Sequence, residues 1–277
     1  MFKPILAWAG GKRWLWHRLK HFFIFDGHDT YIEPFLGGGA IAFNYMKYCD
    51  EHNISKKFII SDANPDLINM YKTIQDSPVE FCDELDKIIA DPSEFYDKRD
   101  AMNANKELNV KRAAQFLWIA RSSWRGIFQT NKKGEITGAK GIPPKRIYKR
   151  EHIMELHRLL KKFADIRCCD FSEYQNYNAV FYLDPPYVGT FDRYCACERV
   201  SQERLNNFLT NLPSNAVAYI SNNQKYQPPE GAREILRMHM DDKACVYRNR
   251  HREECAYFLP SGSSNPGVST DTGTAPI

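Results

Sequence analysis

The sequence predicts an α/β fold carrying an inserted, mainly helical segment, and three observations lead there. Apolar runs ending at a glycine turn or an acidic residue occur at residues 30–32 and 58–61, and strand patterns resume at 166–169, 179–183, 216–220 and 256–259. Helical patterns follow the first two runs, which makes a βαβ start to a sheet. Between about Pro78 and Arg158 the strand patterns give way to charged helical segments, so the sheet is assembled from both sides of an insertion. The expected division is a core of residues 1–75 and 160–260, an insertion of 76–159 and a disordered tail of 261–277.

Each element has a local reason. Thr30-Tyr31-Ile32 runs into Glu33-Pro34-Phe35-Leu36-Gly37-Gly38-Gly39, a strand followed by a glycine turn, and the apolar stretch from Ala40 to Met46 reads as the next helix. Phe58-Ile59-Ile60-Ser61 ends at Asp62, and Pro65 suits the first turn of a second helix. Within the insertion, Asn131-Lys132-Lys133-Gly134 reads as a hairpin turn between short strands. From Ser261 onward the chain is almost entirely Ser, Gly, Thr, Asn, Pro and Asp, too poor in apolar surface to fold.

Composition narrows the function. With 277 residues, 43% of them hydrophobic and 26% charged, the chain can bury a sizeable core. It has no apolar run long enough to cross a bilayer and no signal-peptide pattern at its start, so a cytoplasmic protein is expected, without a membrane or an obligate protein partner. Its eight cysteines lack zinc-site spacing, so reduced, structural thiols and no metal are expected. The formal charge of +4 is unevenly spread: residues 111–158 hold twelve Lys and Arg against three Glu and no Asp. Such a concentration attracts a phosphate backbone, because each neutralised phosphate releases counterions; the alternative is a solvated helix face.

The chemistry-bearing residues cluster at strand ends. Asp184-Pro185-Pro186-Tyr187 follows the run at 179–183, which places a carboxylate, two carbonyls and an aromatic ring at the carboxyl edge of the sheet, where open α/β sheets bind ligands. Asp184 and the Pro185 carbonyl can accept both hydrogens of an exocyclic amine, and Tyr187 can stack on a base that has left its helix. A turn that merely ends a strand is the bland alternative. The glycine turn lacks the spacing of a dinucleotide fold and suits a nucleoside with an amino-acid tail; Asp62 stands where an acid accepts from ribose hydroxyls, or where it caps the next helix. Trp8-Ala9-Gly10-Gly11-Lys12 is not a phosphate-binding loop, since Arg13 replaces the required Ser or Thr and Leu6 the first glycine. Lys12 can pair with a carboxylate instead.

Together, Trp8-Ala9-Gly10-Gly11-Lys12, Glu33-Pro34-Phe35 with its glycines, Ser61-Asp62, Asp170-Phe171 and Asp184-Pro185-Pro186-Tyr187 resemble the Dam family of DNA adenine methyltransferases in motif type and order. The resemblance covers roughly residues 5 to 260 and implies a Rossmann-like class I methyltransferase core. It further implies S-adenosyl-L-methionine as cofactor and transfer of its methyl group to N6 of a flipped adenine in double-stranded DNA. The implied cofactor contacts are Trp8, Gly10, Lys12, Glu33, Pro34, Phe35, Gly37, Gly39, Asp62, Asp170, Phe171 and Asp184, and the implied catalytic residues are Asp184, Pro185, Pro186 and Tyr187. Ser221-Asn222-Asn223 also resembles a family motif. DNA contacts are expected in the insertion from Arg121, Trp124, Arg125, Gln129, Asn131, Lys132, Lys133, Lys140, Lys145 and Arg146, with Trp124, Phe128 and Tyr148 as aromatic residues able either to stack or to pack. Gln129-Thr130 stands where the GATC-specific members carry an Arg-Tyr pair, and residues 136–141 replace an Asn-Val-Pro-Phe-Gly type of sequence. Because Arg suits guanine and Gln suits adenine in the major groove, the target sequence stays open. Two other readings are the same chemistry on cytosine N4 or on RNA, and a DNA-binding protein without catalysis.

Overall fold

The computed structural model describes residues 1–6, 8, 11–12, 14–24, 26–126, 128–187, 200–239 and 253–260, with the backbone alone for Arg125, Met238, His239 and Glu254. Gly10, Cys195, Cys197, Cys245 and the tail at 261–277 lie outside the described residues. In chain order the elements are α1 (Trp16–Ile24), β1 (Thr30–Glu33), α2 (Ala42–Glu51), β2 (Lys57–Asp62), α3 (Pro65–Asp76), α4 (Pro78–Ala90), α5 (Phe95–Ala104), α6 (Val110–Ser122), α7 (Arg150–Phe163), β3 (Ala164–Cys168), β4 (Val180–Leu183), α8 (Gln202–Thr210), β5 (Val217–Asn223), β6 (Arg233–His239) and β7 (Glu253–Leu259). Short 3-10 turns occupy Trp124–Gly126 and Phe171–Tyr174.

The strands form one seven-stranded sheet in the order β3-β2-β1-β4-β5-β7-β6. β1 runs parallel to β2 and β4, β2 to β3, and β4 to β5, whereas β7 is antiparallel to both β5 and β6. The expected α/β architecture is therefore present, as a Rossmann-like core closed by an antiparallel β6–β7 edge. The strand order reverses between β1 and β4, and an open sheet places its ligand crevice at the carboxyl ends beside such a reversal.

Burial on both faces explains why the central strands read as unbroken apolar runs. Alternate residues point to opposite faces: Tyr31, Phe58, Ile60, Val180 and Tyr182 join the core under α1, α2, α3 and α7, while Ile32, Ile59, Phe181 and Leu183 pack with Leu205 and Phe208 of α8. α3 starts as expected at Pro65, but its cap is Asn64, whose side chain accepts from the N–H groups of Asp66 and Leu67. Asp62 is thereby released from the capping role.

The residues between α3 and α7 form a helical unit against α3. α6 packs on α3 and α4, and Arg112 of α6 is buried against Asp66 of α3 through Nε–Oδ1 (2.5 Å) and Nη2–Oδ2 (2.9 Å), with Nη1 donating to the carbonyls of Met102 and Asn105. The expected hairpin exists in reduced form. Its arms pair at the single bridge Thr130–Ile136, a second bridge joins Ser123 to Lys140, and Gly134, at a φ of 76°, closes the turn. α7 runs across the expected end of the insertion at 159 and packs on α2 and α3. The five described cysteines, Cys49, Cys82, Cys168, Cys169 and Cys255, are free thiols. Among the described residues no helix is long and apolar enough to cross a membrane.

A buried charge stripped of its partner is costly, because the remaining ion stays desolvated. Arg112→Ala is expected to destabilise the chain by about 3–5 kcal/mol in urea unfolding, whereas the same change at exposed Lys111 is expected to leave the midpoint within about 0.5 kcal/mol.

Candidate active site

The carboxyl ends of β1, β2 and β4 lie side by side and deliver Glu33, Asp62 and Asp184 to one edge of the sheet. Each carboxylate is accommodated differently. Asp184, one-fifth exposed, is paired with the buried Lys12, whose Nζ lies 3.1 Å from Oδ1. The same ammonium sits 4.7 Å from the centroid of the Tyr187 ring, a cation–π contact that fixes Tyr187 beside the pair.

Glu33 is buried at 2% exposure, and the Tyr31 hydroxyl donates to its Oε2 at 2.6 Å. Burial pushes its carboxyl up to about 8; the Tyr31 hydroxyl and the Ala42 N–H oppose the rise, and the charge of Asp184 adds to it. At neutral pH Glu33 is thus a neutral acid. Asp62 accepts from the N–H groups of Gly37 (3.0 Å) and Asn64 (2.9 Å). Burial still lifts its carboxyl above the ordinary range, against the lowering effect of those N–H groups and that of Ala63.

The glycine turn is shaped by its neighbours. Gly37 and Gly39 have φ of 47° and 66°, which favours glycine. A Cβ at Gly37 would lie 2.7 Å from Cδ1 of Trp8, and one at Gly39 2.2 Å from Cε2 of Phe43. The space expected to admit a ligand closely is, at these two positions, taken by an indole and a phenyl ring of the chain itself. Pro34 is buried behind the turn, and the Phe35 ring lies 5.3 Å from that of Phe171. Asp170, at the end of β3, caps the short turn beginning at Phe171 by accepting from Ser172 and pairs with Arg204 Nη2 at 2.6 Å. Burial acts to raise its carboxyl, and the Ser172 and Arg204 contacts outweigh that and hold it low. Pro185 and Pro186 line a small cleft with Asn222 and Tyr226, which brings the Ser221-Asn222-Asn223 segment of β5 to the same edge.

The structure therefore brings together Trp8, Lys12, Glu33, Pro34, Phe35, Gly37, Gly39, Asp62, Asp184 and Tyr187. Asp170 and Phe171 join them through Phe35. The sequence had not singled out Tyr31 or Arg204. Tyr31 shares a strand face with Glu33, but within an apolar run its hydroxyl reads as one more core aromatic, and Arg204 meets Asp170 only through tertiary packing.

The expected DNA-contacting residues divide into two groups. Lys132, Lys133, Lys145 and Arg146 are exposed, and no ion pair involves them among the described residues. Trp124 is half exposed. Lys140 is engaged by Glu94, the Asn131 side chain is held within its turn by Glu135 and by the Lys133 and Glu135 N–H groups, and the carbonyl of Gln129 accepts from Thr137. Arg121 is half-buried, and its Nε lacks a hydrogen-bond partner. Phe128 is 2% exposed, so of the three aromatic candidates it is a packing residue.

Comparison with known proteins decides the identity. Residues 8–234 match the model of the D12 class N6 adenine-specific DNA methyltransferases. The chain belongs to this family. Type II methyltransferase M.MjaIII of Methanocaldococcus jannaschii is 34% identical over 67% of this chain and 69% of its own length. The DNA adenine methylase of Haemophilus influenzae is 28% identical over 67% of this chain and 64% of its own, and the retron Ec67 DNA adenine methylase of Escherichia coli is 30% identical over 69% and 65%. The matches thus span about two thirds of these relatives' lengths. As a D12-class enzyme the chain is an adenine-specific DNA methyltransferase that draws on a methyl donor, and the match runs from Trp8 through the edge described above.

Glu33 gives this methyltransferase a specific pH signature. Its carboxyl is raised from about 4.5 when unfolded to about 8 when folded. The native chain therefore binds more protons between those values, and this group's contribution is full below about 4.5 and lost as pH rises through about 8. Glu33→Gln, which keeps an acceptor for Tyr31, is expected to raise the melting temperature relative to wild type more at pH 8 than at pH 5 in paired thermal scans.

Proposed function

We propose that this methyltransferase transfers the methyl group of S-adenosyl-L-methionine to N6 of an adenine flipped out of double-stranded DNA, at the edge formed by β1, β2 and β4. The observation that carries the reading is Asp184, held by Lys12 at the end of β4 and directly beside the glycine turn that follows β1.

The donor set fits that cofactor. A nucleoside with an amino-acid tail needs acceptors for ribose hydroxyls, apolar walls for its base and a cation for its carboxylate. Asp62 supplies acceptors at the end of β2, Phe35 and Phe171 supply walls with Asp170 at their margin, and Lys12 supplies the cation. Glu33, Pro34, Gly37, Gly39 and Trp8 shape the floor, and Gly10 adjoins it in sequence. When bound, the cofactor brings an electrophilic methyl group on a sulfonium. With it bound, Asp184 and the Pro185 carbonyl would each accept a hydrogen bond from one N–H of the target amine, which draws the nitrogen lone pair out of conjugation, and the proton shed by the methylated nitrogen would leave to solvent. Pro186 keeps the turn rigid, since its φ is fixed and it has no N–H to compete for those acceptors. The Tyr187 ring, steadied by Lys12, offers its face to the extruded base.

The target is gripped by the insertion of residues 76–159. Exposed Lys132, Lys133, Lys145 and Arg146 meet phosphates, and Arg121, with its unpartnered buried Nε, gains an acceptor on doing so. Trp124, Arg125, Gln129, Asn131 and Lys140 complete the surface facing DNA. Gln129 in place of Arg shifts base preference at that position from guanine toward adenine.

Two outcomes are expected. Asp184→Ala abolishes methyl transfer from labelled cofactor while duplex affinity stays within about tenfold of wild type, since phosphate contacts supply most of that affinity; undiminished transfer would refute the mechanism. Replacing Lys145 and Arg146 together with Ala flattens the slope of log affinity against log salt by roughly 2, and an unchanged slope would place the DNA face elsewhere.

A further inference from the structure

One aromatic contact joins the cofactor edge to the root of the recognition hairpin. The Trp8 indole fills the space over Gly37, and Trp8 Cβ lies 3.2 Å from where a Cβ on Gly38 would stand. It also stacks on Phe128, with centroids 6.1 Å apart and planes at 19°, and lies 6.4 Å from Phe116 of α6. Phe116 and Phe128 meet edge to face at 4.8 Å and 62°. Phe128 is followed at once by the hairpin, whose arms are held by the Thr137 N–H to the Gln129 carbonyl (2.9 Å) and by the Thr130–Ile136 bridge. At the other end, the Gly11 N–H donates to the Trp8 carbonyl at 3.2 Å, and Lys12 reaches Asp184. The indole thus touches both the hairpin root and the glycine turn, and its residue lies four before Lys12, the partner of Asp184.

The polar groups near this root are not all paired. Arg121 Nε, Ser122 Oγ and Thr130 Oγ1 are buried without hydrogen-bond partners, at the end of α6 and in the hairpin arm that flanks Phe128. A well-paired root would resist rearrangement, whereas unmade bonds leave a second arrangement close in energy.

Resting on the proposed cofactor site, we propose that Phe128 is a positioning residue: through its stack on Trp8 it ties the seating of the recognition hairpin to occupation of the glycine turn, so that methyl donor and DNA bind with positive coupling. Occupation of the turn restricts the indole, the indole restricts Phe128, and the hairpin presents Gln129 in one orientation. Linkage makes the effect reciprocal, so DNA tightens the donor by the same factor.

The test uses sinefungin, a non-reactive analogue of the donor, and a fluorescein-labelled duplex bearing a site that the wild-type chain methylates. Duplex affinity is measured by anisotropy with and without saturating sinefungin for wild type, Phe128→Leu and Phe128→Tyr. Sinefungin is expected to tighten wild-type DNA binding by about tenfold. In Phe128→Leu the factor falls to within about twofold of unity while sinefungin affinity without DNA changes less than about threefold, and Phe128→Tyr, which keeps the ring, restores the factor. A wild-type factor of unity, an unaltered factor in Phe128→Leu, or failure of Phe128→Tyr to restore it overturns the coupling. Sinefungin that fails to bind the wild-type chain at all overturns the cofactor reading first, and this inference with it.

Discussion

The convergence of three carboxylates on one sheet edge is the constraint around which the rest of the molecule is arranged. Parallel pairing sets Glu33 opposite Ile60 and Ile32 opposite Phe181, so Asp62, two residues beyond Ile60, and Asp184, three beyond Phe181, reach the same edge as Glu33 whatever their mutual repulsion. Burying like charges in a low dielectric is expensive unless each is compensated. The chain uses three separate devices: a retained proton on Glu33, backbone N–H donors for Asp62 and the Lys12 ammonium for Asp184. Only the last device is an ion pair, which keeps Asp184 charged as an acceptor and suits the group assigned to the target amine.

The N-terminal segment owes its position to the same constraint. Lys12 must reach Asp184, the Gly11 N–H donates back to the Trp8 carbonyl, and the Trp8 indole lies over the glycine turn. The indole then becomes part of the floor on one side and part of the packing of the insertion on the other. Arg112 and Asp66 fasten that insertion to α3, the helix that follows Asp62. Among the contacts that hold the insertion to the core, these two lie beside strand ends that build the site.

Much of this was legible in the sequence where burial and local turn chemistry agree. The runs ending at Glu33, Asp62 and Leu183 are apolar because both faces of those strands are covered, and they became β1, β2 and β4. β6 was not legible: Arg233-Glu234-Ile235-Leu236-Arg237 lies at the sheet edge, carries little alternation and is irregular between Glu234 and Leu236. The capping role considered for Asp62 went to Asn64, two residues further on, a choice that depends on where the helix begins. The charge count over residues 111–158 was a sound guide to a basic surface but overstated it. Arg112, Lys140, Arg150 and Arg158 are matched by Asp66, Glu94, Asp83 with Asp86, and Asp50, all outside that stretch. Pairing across the fold is invisible to a local tally, and so was the burial of Phe128, since an aromatic residue beside a hairpin reads equally well as packing or as a DNA contact.

The central claim, that the β1–β2–β4 edge methylates adenine N6 in duplex DNA, is tested most directly by nucleoside analysis. Duplex DNA, single-stranded DNA and RNA are each incubated with the purified chain and methyl-labelled S-adenosyl-L-methionine, digested to nucleosides and separated by liquid chromatography with mass detection. The account predicts label in N6-methyldeoxyadenosine from the duplex. Label in N4-methyldeoxycytidine, label confined to RNA, or none in any substrate would contradict it.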